Sequence, residues 1–252
     1  YKEPGTSLDN TIDRDIDMVI SFSRELERLR ESVDLVLCVG WEWEISLRGI
    51  ATAYGYSERV QEMFGLREKN YEKWRKTVAP YIEKRLNSYL EKVIKGVRGN
   101  FGGRLTYSNC QGTHYLVHWG DLDLDILGPM LYYQKKYDTE RGTLELISWF
   151  RSHHKPVYIT EFGCFTYEGA SLYGGDAWRQ YRGQKYSQEE QAESISEQVE
   201  LFDKGKVDGV FLHVFNLGNV LGQEDAASCA IIKYDTRERK KGFYAYKRFT
   251  RS

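Results

Sequence analysis

Three glutamates of this sequence follow short apolar runs. If these runs are strands of a parallel sheet, the glutamates lie at the strand ends, where side chains can take part in chemistry. Glu42 and Glu44 follow the run at residues 34–40, and Glu161 follows the run at residues 156–159. A carboxylate at the end of a buried strand loses hydration, so it persists only with hydrogen-bonding or charged partners. We therefore treat these three acids as candidate functional groups, with ion pairs to nearby Arg or Lys as the structural alternative.

Paired carboxyl groups suit the hydrolysis of glycosidic bonds. One group protonates the departing oxygen, while the second stabilises or captures the cationic sugar centre. A separation of about 5 Å gives retention of configuration, and roughly 6.5–9.5 Å leaves space for a water molecule and gives inversion. The sequence spacing of Glu42 and Glu161 is compatible with either geometry.

The elements that must position these acids alternate between helix and strand. Apolar periodicity predicts helices over residues 14–32, 71–98, 142–152, 187–204 and 238–250. Apolar runs predict strands over residues 34–40, 104–109, 125–133, 156–163 and 207–216. Strands separated by helices imply right-handed crossovers and a parallel sheet, which is an α/β fold.

Polar residues at five successive strand ends favour a closed (β/α)8 TIM barrel over an open doubly wound sheet, because barrel active sites lie at that rim. Alternation along the first strand places Glu42 and Glu44 on one face. It places Leu37 and Val39 on the other face, which we expect to pack against helices. The strand-end residues are Glu42 with Glu44, Asn109, Tyr132, Glu161, and His213 with Asn216.

Composition and charge exclude several classes of protein. The 36 basic and 37 acidic residues give a net charge of −1, which leaves no electrostatic footprint for nucleic acid. An apolar run of about 18 residues, as a membrane-spanning helix requires, is not found. We therefore expect neither a nucleic-acid nor a membrane partner.

The spacing of cysteines and histidines predicts no metal site and no cofactor. The four cysteines lack any C-x-x-C spacing, and the histidines have no acidic or cysteine partner at ligand spacing. The glycine-rich segment 99–103 follows a helix and enters a strand, the reverse of a dinucleotide-binding turn.

Four segments together resemble clan A glycoside hydrolases. They are Cys-Val-Gly-Trp-Glu at 38–42, Leu-Thr-Tyr-Ser-Asn at 105–109, Asp-Ile-Leu-Gly-Pro-Met-Leu-Tyr at 125–132 and Pro-Val-Tyr-Ile-Thr-Glu-Phe-Gly at 156–163. In this order they are most similar to the β-mannanase-type enzymes of glycoside hydrolase family 113 and related archaeal barrels. The resemblance covers residues 15–249.

This resemblance implies a retaining double displacement, with the acid/base at the end of barrel strand four and the nucleophile at the end of strand seven. Glu42 matches the family's glycine-x-glutamate and Glu161 its threonine-glutamate-x-glycine. Tyr132 matches the strand-six tyrosine that contacts the nucleophile. The function implied is hydrolysis of β-glycosidic bonds in a neutral, mannan- or glucan-like oligo- or polysaccharide. A barrel that binds carbohydrate or protein without catalysis is the alternative.

The sequence departs from the family pattern at two places. Trp41 stands where most clan A enzymes have Asn before the acid/base, and Glu44 is a second candidate for that role. His213 or Phe215 replaces the tryptophan that usually forms the sugar platform on strand eight. We expect substrate binding by Glu44, Asn109, Tyr132, His213 and Phe215.

The number of strands bears on the domain organisation. No linker or repeat divides the chain, so residues 1–252 are interpreted as a single barrel domain. Five strands cannot close an eight-stranded barrel, and by the resemblance they correspond to strands four to eight. We expect strands one to three to come from an upstream segment or a second chain.

Overall fold

A computed structural model of the protein describes residues 8–44, 70–214, 228–233 and 235–249. The chain divides into two compact units, Tyr1–Leu127 and Gly128–Ser252. Strands and helices alternate in both, so the chain has an α/β fold. Within the described ranges, no helix is both long enough and apolar enough to cross a membrane.

The first unit is built on helices that cover a parallel sheet. Its elements are α1 (Leu8–Glu27), β1 (Val36–Trp41), α2 (Tyr71–Thr77), α3 (Ala79–Arg98), β2 (Arg104–Asn109) and the start of β3 (Ile126–Pro129). The strand order is β1–β2–β3, and β1 pairs with β2 in parallel, with Val36 opposite Arg104. The parallel arrangement predicted from the alternation is confirmed for this pair.

Helix α3 forms the core of the first unit against β1. Leu37 and Val39 of β1 are buried, as their predicted helix-facing side requires. The Tyr89 hydroxyl on α3 donates to the Val39 carbonyl oxygen at 3.1 Å, and the Tyr89 ring stacks on Trp43 with centroids 3.8 Å apart. These contacts fix the end of β1, which leads into the first pair of glutamates.

The helix predicted over residues 71–98 is two helices, so this part of the prediction is wrong. Val78 ends α2 and also precedes the first residue of α3, and Pro80 lies in the first turn of α3. Proline has no N–H to donate and its ring clashes with the carbonyl of the preceding turn. It therefore interrupts the helix while remaining well suited to a helix start.

The second unit contains another parallel strand pair with its covering helices. After the end of β3 come α4 (Glu140–Arg151), β4 (Tyr158–Phe162), α5 (Ala177–Gln180), α6 (Gln188–Lys204), β5 (Gly209–Leu212) and α7 (Lys241–Phe249). β4 and β5 pair in parallel, with Tyr158 opposite Gly209 and Phe162 opposite Leu212. Thr139 and Ser187 cap the N-termini of α4 and α6 with side-chain oxygens, which explains where these helices begin.

The same aspartate arrangement occurs at the start of a strand in each unit. The Asp125 N–H donates to the Leu105 carbonyl at 3.0 Å, and Asp125 Oδ2 accepts from the Leu105 N–H at 2.7 Å. Asp208 makes the equivalent pair of bonds with Val157, both at 2.9 Å. Each aspartate thus extends the backbone pairing by one side-chain bond and sets the register of the strand that follows it.

An arginine at the end of the preceding helix adds to each of these arrangements. Arg98 Nη2 lies 2.6 Å from Asp125 Oδ2, and Arg151 Nη1 lies 3.9 Å from Asp208 Oδ2. Arg98 also pairs with Asp123, whose side chain is 75% exposed. The two aspartates beside Arg98 therefore offer a matched comparison of a register-setting and a solvent-exposed carboxylate.

We predict that Asp125→Ala lowers the free energy of unfolding by about 1–3 kcal/mol, because it leaves the Leu105 N–H without its acceptor. Asp123→Ala removes an exposed ion pair with the same arginine and is expected to cost less than about 1 kcal/mol. Urea denaturation followed by circular dichroism measures both values. Equal losses in the two variants would contradict the register-setting role of Asp125.

Candidate active site

Strand pairing in the second unit places two side chains beside Glu161. Glu161 lies on β4, and its carbonyl accepts from the Leu131 N–H at 2.9 Å. On the other side, the His213 N–H donates to the Phe162 carbonyl at 2.8 Å. Tyr132 directly follows the residue that donates to Glu161, and His213 itself donates to the residue after Glu161, so both side chains lie beside the glutamate.

The three side chains converge on one carboxylate oxygen. The Tyr132 hydroxyl donates to Glu161 Oε1 at 2.5 Å. His213 Nδ1 lies 3.2 Å from the same oxygen and 3.0 Å from the Tyr132 oxygen. The Glu161 side chain is 13% exposed, so it is mostly buried yet still reaches the surface. Of the residues predicted for the site, the fold brings Glu161, Tyr132 and His213 together.

Close backbone approaches hold this group in place. A Cβ on Gly163 would lie 2.5 Å from the His213 carbonyl oxygen, so only glycine admits the end of β5 at this distance from β4. A Cβ on Gly175 would lie 3.1 Å from the Tyr132 ring, and one on Gly174 would lie 3.0 Å from Tyr132 Cβ. The segment after Glu161 therefore packs directly against Tyr132.

A second layer behind His213 was not anticipated from the sequence. Cys229 Sγ lies 3.7 Å from His213 Nδ1, and burial raises the pKa of this thiol to about 12. Gln191 Nε2 lies within hydrogen-bonding distance of the carbonyl oxygens of Cys164, at 3.0 Å, and Cys229, at 3.2 Å. These residues are far apart in the sequence, so no local sequence pattern predicts that they lie together.

In the first unit, the glutamates Glu42 and Glu44 do not share a strand face, which corrects the expectation from alternation. β1 ends at Trp41, and Glu42 has a left-handed backbone conformation with φ of 47°. Alternation holds only along extended backbone, so it ends at this residue, where the chain bends. Glu44 is 3% exposed, whereas Glu42 is half-buried.

The Glu44 carboxylate is held by four donors. Asn109, predicted to bind substrate, is one of them, and its own Oδ1 lies 2.5 Å from His114 Nδ1. Burial raises the pKa of Glu44, and it outweighs the hydrogen bonds, which lower it. The donors are the Tyr107 hydroxyl, Asn109 Nδ2 at 2.8 Å, the Cys110 N–H and the Thr113 hydroxyl at 3.1 Å.

The remaining predictions for the site concern Phe215 and metals. Phe215 lies outside the described residues. In the part of the chain that the structure describes, no group of three or more His, Cys, Asp or Glu side chains is arranged to hold a metal ion.

The family of the chain follows from its similarity to known proteins. The model of Glycoside Hydrolase Family 113 matches residues 81–228, which is more than half of the 252 residues. The chain belongs to glycoside hydrolase family 113. The matched region of this family 113 chain contains Tyr132, Glu161 and His213, whereas Glu42 and Glu44 precede it. No curated protein matches the chain.

Solved structures of family 113 share the fold of the chain. Two structures of a GH113 β-1,4-mannanase superpose with TM-scores of 0.63 and 0.62 at 16% identity, covering 100% of this chain and 67% of the mannanase chain. The GH113 β-mannanase AaManA from Alicyclobacillus acidocaldarius gives a TM-score of 0.59 at 16% identity, covering 99% of this chain and 65% of that one. At this identity the likeness establishes the fold of the family 113 chain.

We predict that the raised pKa of Glu44 makes the stability of this family 113 chain depend on pH. The native state binds the proton more tightly than the unfolded state, so the free energy of unfolding falls as pH rises from 4.5, the ordinary value, through the raised pKa. Glu44→Gln cannot ionise and should lose this slope. Urea denaturation across this pH range measures it.

Glu189→Gln provides the control, because a hydrogen bond from Lys241 lowers the pKa of this exposed glutamate, which is therefore ionised over the range in which Glu44 titrates. It should keep the decline in stability above pH 4.5. A Glu44→Gln protein with an unchanged slope would show that another group causes the pH dependence.

Proposed function

We propose that this protein is a retaining glycoside hydrolase that cleaves β-mannan by double displacement, with Glu161 as nucleophile and Glu42 as acid/base. The observation that carries the proposal is the hydrogen bond from the Tyr132 hydroxyl to Glu161 Oε1 within the region matched by family 113. The family consists of glycoside hydrolases. In such an enzyme, a mostly buried carboxylate that is oriented by a tyrosine at a strand end can act as the nucleophile.

The environment of Glu161 suits nucleophilic attack. Oε1 accepts a hydrogen bond from Tyr132 and lies beside His213. Attack forms a bond between a carboxylate oxygen of Glu161 and the anomeric carbon, while the bond from that carbon to the leaving oxygen breaks. The Tyr132 hydroxyl stabilises the carboxylate in one orientation and keeps its attack direction fixed.

The acid/base role fits Glu42 better than Glu44. Both oxygens of Glu44 accept hydrogen bonds from the protein: Oε1 from Asn109 and Oε2 from Tyr107. A carboxyl group with both oxygens engaged and 3% exposure is poorly placed to give a proton to a glycosidic oxygen.

Glu42 is more accessible, and its backbone is held. Its N–H donates to the Ser108 carbonyl at 2.8 Å, and its side chain is half-buried. In the proposed cycle Glu42 protonates the leaving oxygen and then takes a proton from the water that releases the sugar from Glu161. Glu44 supports this end of β1 through its bonds to Tyr107 and Asn109.

Three observations support mannan as the substrate class. Two of the similar solved structures are of a GH113 β-1,4-mannanase. The Trp41 ring, next to Glu42, is 57% exposed and offers an apolar face of the kind that stacks on pyranose rings. A neutral polysaccharide also fits the net charge of −1.

The proposal includes a closed barrel. The five strands would be strands four to eight of a (β/α)8 barrel within one catalytic domain, and strands one to three would come from another segment or chain. Coverage of about two thirds of the solved mannanases supports this correspondence. So do the exposed apolar side chains of α1, Met18 and Phe22, which offer a surface for further elements.

Kinetics of variants on two classes of substrate test the roles. We predict that Glu161→Gln reduces kcat by at least about 10³-fold on all substrates, because it removes the nucleophile. Glu42→Ala should reduce kcat/KM about 10²–10⁴-fold on manno-oligosaccharides but less than about tenfold on dinitrophenyl β-mannoside, whose leaving group needs no proton.

Glu44→Ala is the matched control, since it removes a carboxylate two residues from Glu42. It should affect both substrate classes to a similar extent. The assignment of the acid/base is wrong if Glu44→Ala, and not Glu42→Ala, shows the dependence on the leaving group. The hydrolase proposal is wrong if the unaltered protein, together with the segment or chain that completes its barrel, turns over no β-mannoside, β-glucoside or mannan.

A further inference from the structure

His213 is held at the side of the glutamate that we propose as nucleophile. It directly follows β5, and its N–H donates to the Phe162 carbonyl at 2.8 Å. Three groups face Nδ1 of its imidazole: the Tyr132 oxygen at 3.0 Å, Glu161 Oε1 at 3.2 Å and Cys229 Sγ at 3.7 Å. One ring nitrogen is thus enclosed by the protein.

The chemistry of these neighbours determines which nitrogen carries the hydrogen. The single hydroxyl proton of Tyr132 goes to Glu161 Oε1 at 2.5 Å, so the Tyr132 oxygen turns a lone pair to the ring. A carboxylate oxygen only accepts. Burial raises the pKa of Cys229 to about 12, so this thiol adds no negative charge. Two acceptors face Nδ1, which therefore carries the hydrogen.

The opposite nitrogen then has the complementary character. In a neutral imidazole with its hydrogen on Nδ1, Nε2 is an acceptor. The His213 side chain is 39% exposed, and Nε2 makes no hydrogen bond to any residue within the described ranges. With the imidazole neutral, an acceptor with a fixed tautomer is thus available immediately beside Glu161.

We propose that Nε2 of His213 accepts a hydrogen bond from the hydroxyl group at C3, C4 or C6 of the sugar bound at Glu161, which makes His213 a specificity-determining residue. This inference rests on the proposed function and specifies that the sugar hydroxyl is the donor and His213 the acceptor. The site therefore discriminates against a sugar that lacks this hydroxyl. A buried or half-buried polar group left without its partner loses binding energy, and this loss is the source of the discrimination.

The test pairs changes in the sugar with changes in the protein. The substrates are dinitrophenyl β-mannoside and its 3-, 4- and 6-deoxy analogues, and the proteins are the unaltered chain and His213→Asn. Asparagine places an amide N–H near the position of Nδ1, so it can still donate to Glu161, but nothing replaces Nε2. His213→Gln reaches the position of Nε2 and gives up the contact at Nδ1.

We predict that one deoxy analogue has about a tenfold lower kcat/KM than the parent mannoside with the unaltered protein. With His213→Asn this ratio should approach one, while the other two analogues keep their ratios. His213→Gln should retain part of the discrimination. A general loss of stability would lower kcat/KM for every substrate. It would not change the ratio for one deoxy analogue alone.

The inference is overturned if the ratios of all three analogues are the same in the unaltered protein and in His213→Asn. Where His213→Asn is too slow for kinetics, calorimetric binding of the same sugars to Glu161→Gln, with and without His213→Asn, gives the same comparison. Failure of the unaltered protein to hydrolyse any β-mannoside would contradict the proposed function itself, which distinguishes the two outcomes.

Discussion

Backbone pairing at the ends of parallel strands is the constraint on which both glutamate environments depend. In the second unit, Leu131 and His213 donate backbone bonds to the carbonyls of Glu161 and Phe162. In the first unit, the Glu42 N–H donates to the Ser108 carbonyl. These backbone bonds hold Tyr132, the residue after Leu131, and His213 itself within hydrogen-bonding reach of Glu161. The register itself is set at the opposite end of the strands by Asp125 and Asp208.

The two environments differ in what they leave for chemistry. Glu44 is almost completely buried, and its oxygens are engaged by donors from the protein. Glu161 is mostly buried, and Tyr132 and His213 both lie against its Oε1. The first arrangement fits a structural role, and the second supports the role of nucleophile that we propose for Glu161. Burial raises the pKa of Glu44, and the same physical effect is what a general acid requires, so burial alone does not identify the acid.

Much of this organisation could be predicted from the sequence, because it depends on local patterns. Apolar runs located β1 to β5, the five strands of the described residues, although β1 is buried on one face only. The resemblance to family 113 predicted that Tyr132 contacts Glu161, and the structure shows this contact. The interruption at Pro80 and the left-handed residue Glu42 were missed, although proline is a visible breaker. The apolar periodicity of residues 71–98 continues across Pro80, so the periodicity alone does not show the break.

Other features could not be predicted because they depend on tertiary contacts. Asp125 and Asp208 bond to residues 20 and 51 positions away, and no local signal connects these partners. Cys229 approaches His213 across 16 positions. The role of Glu44 as an acceptor for Tyr107 and Asn109 likewise required the packing of β1 beside β2. Sequence patterns locate strand ends, whereas the partners of each side chain are decided by the fold.

The most direct measurement of the central claim is the identification of the covalent intermediate. The full-length protein is incubated with dinitrophenyl 2-deoxy-2-fluoro-β-mannoside, digested with pepsin and analysed by tandem mass spectrometry. A retaining mechanism with this nucleophile predicts stoichiometric loss of activity and a 2-fluoromannosyl ester on Glu161. An ester on Glu42, Glu44 or any other residue would contradict the account, as would turnover of β-mannosides with no covalent adduct.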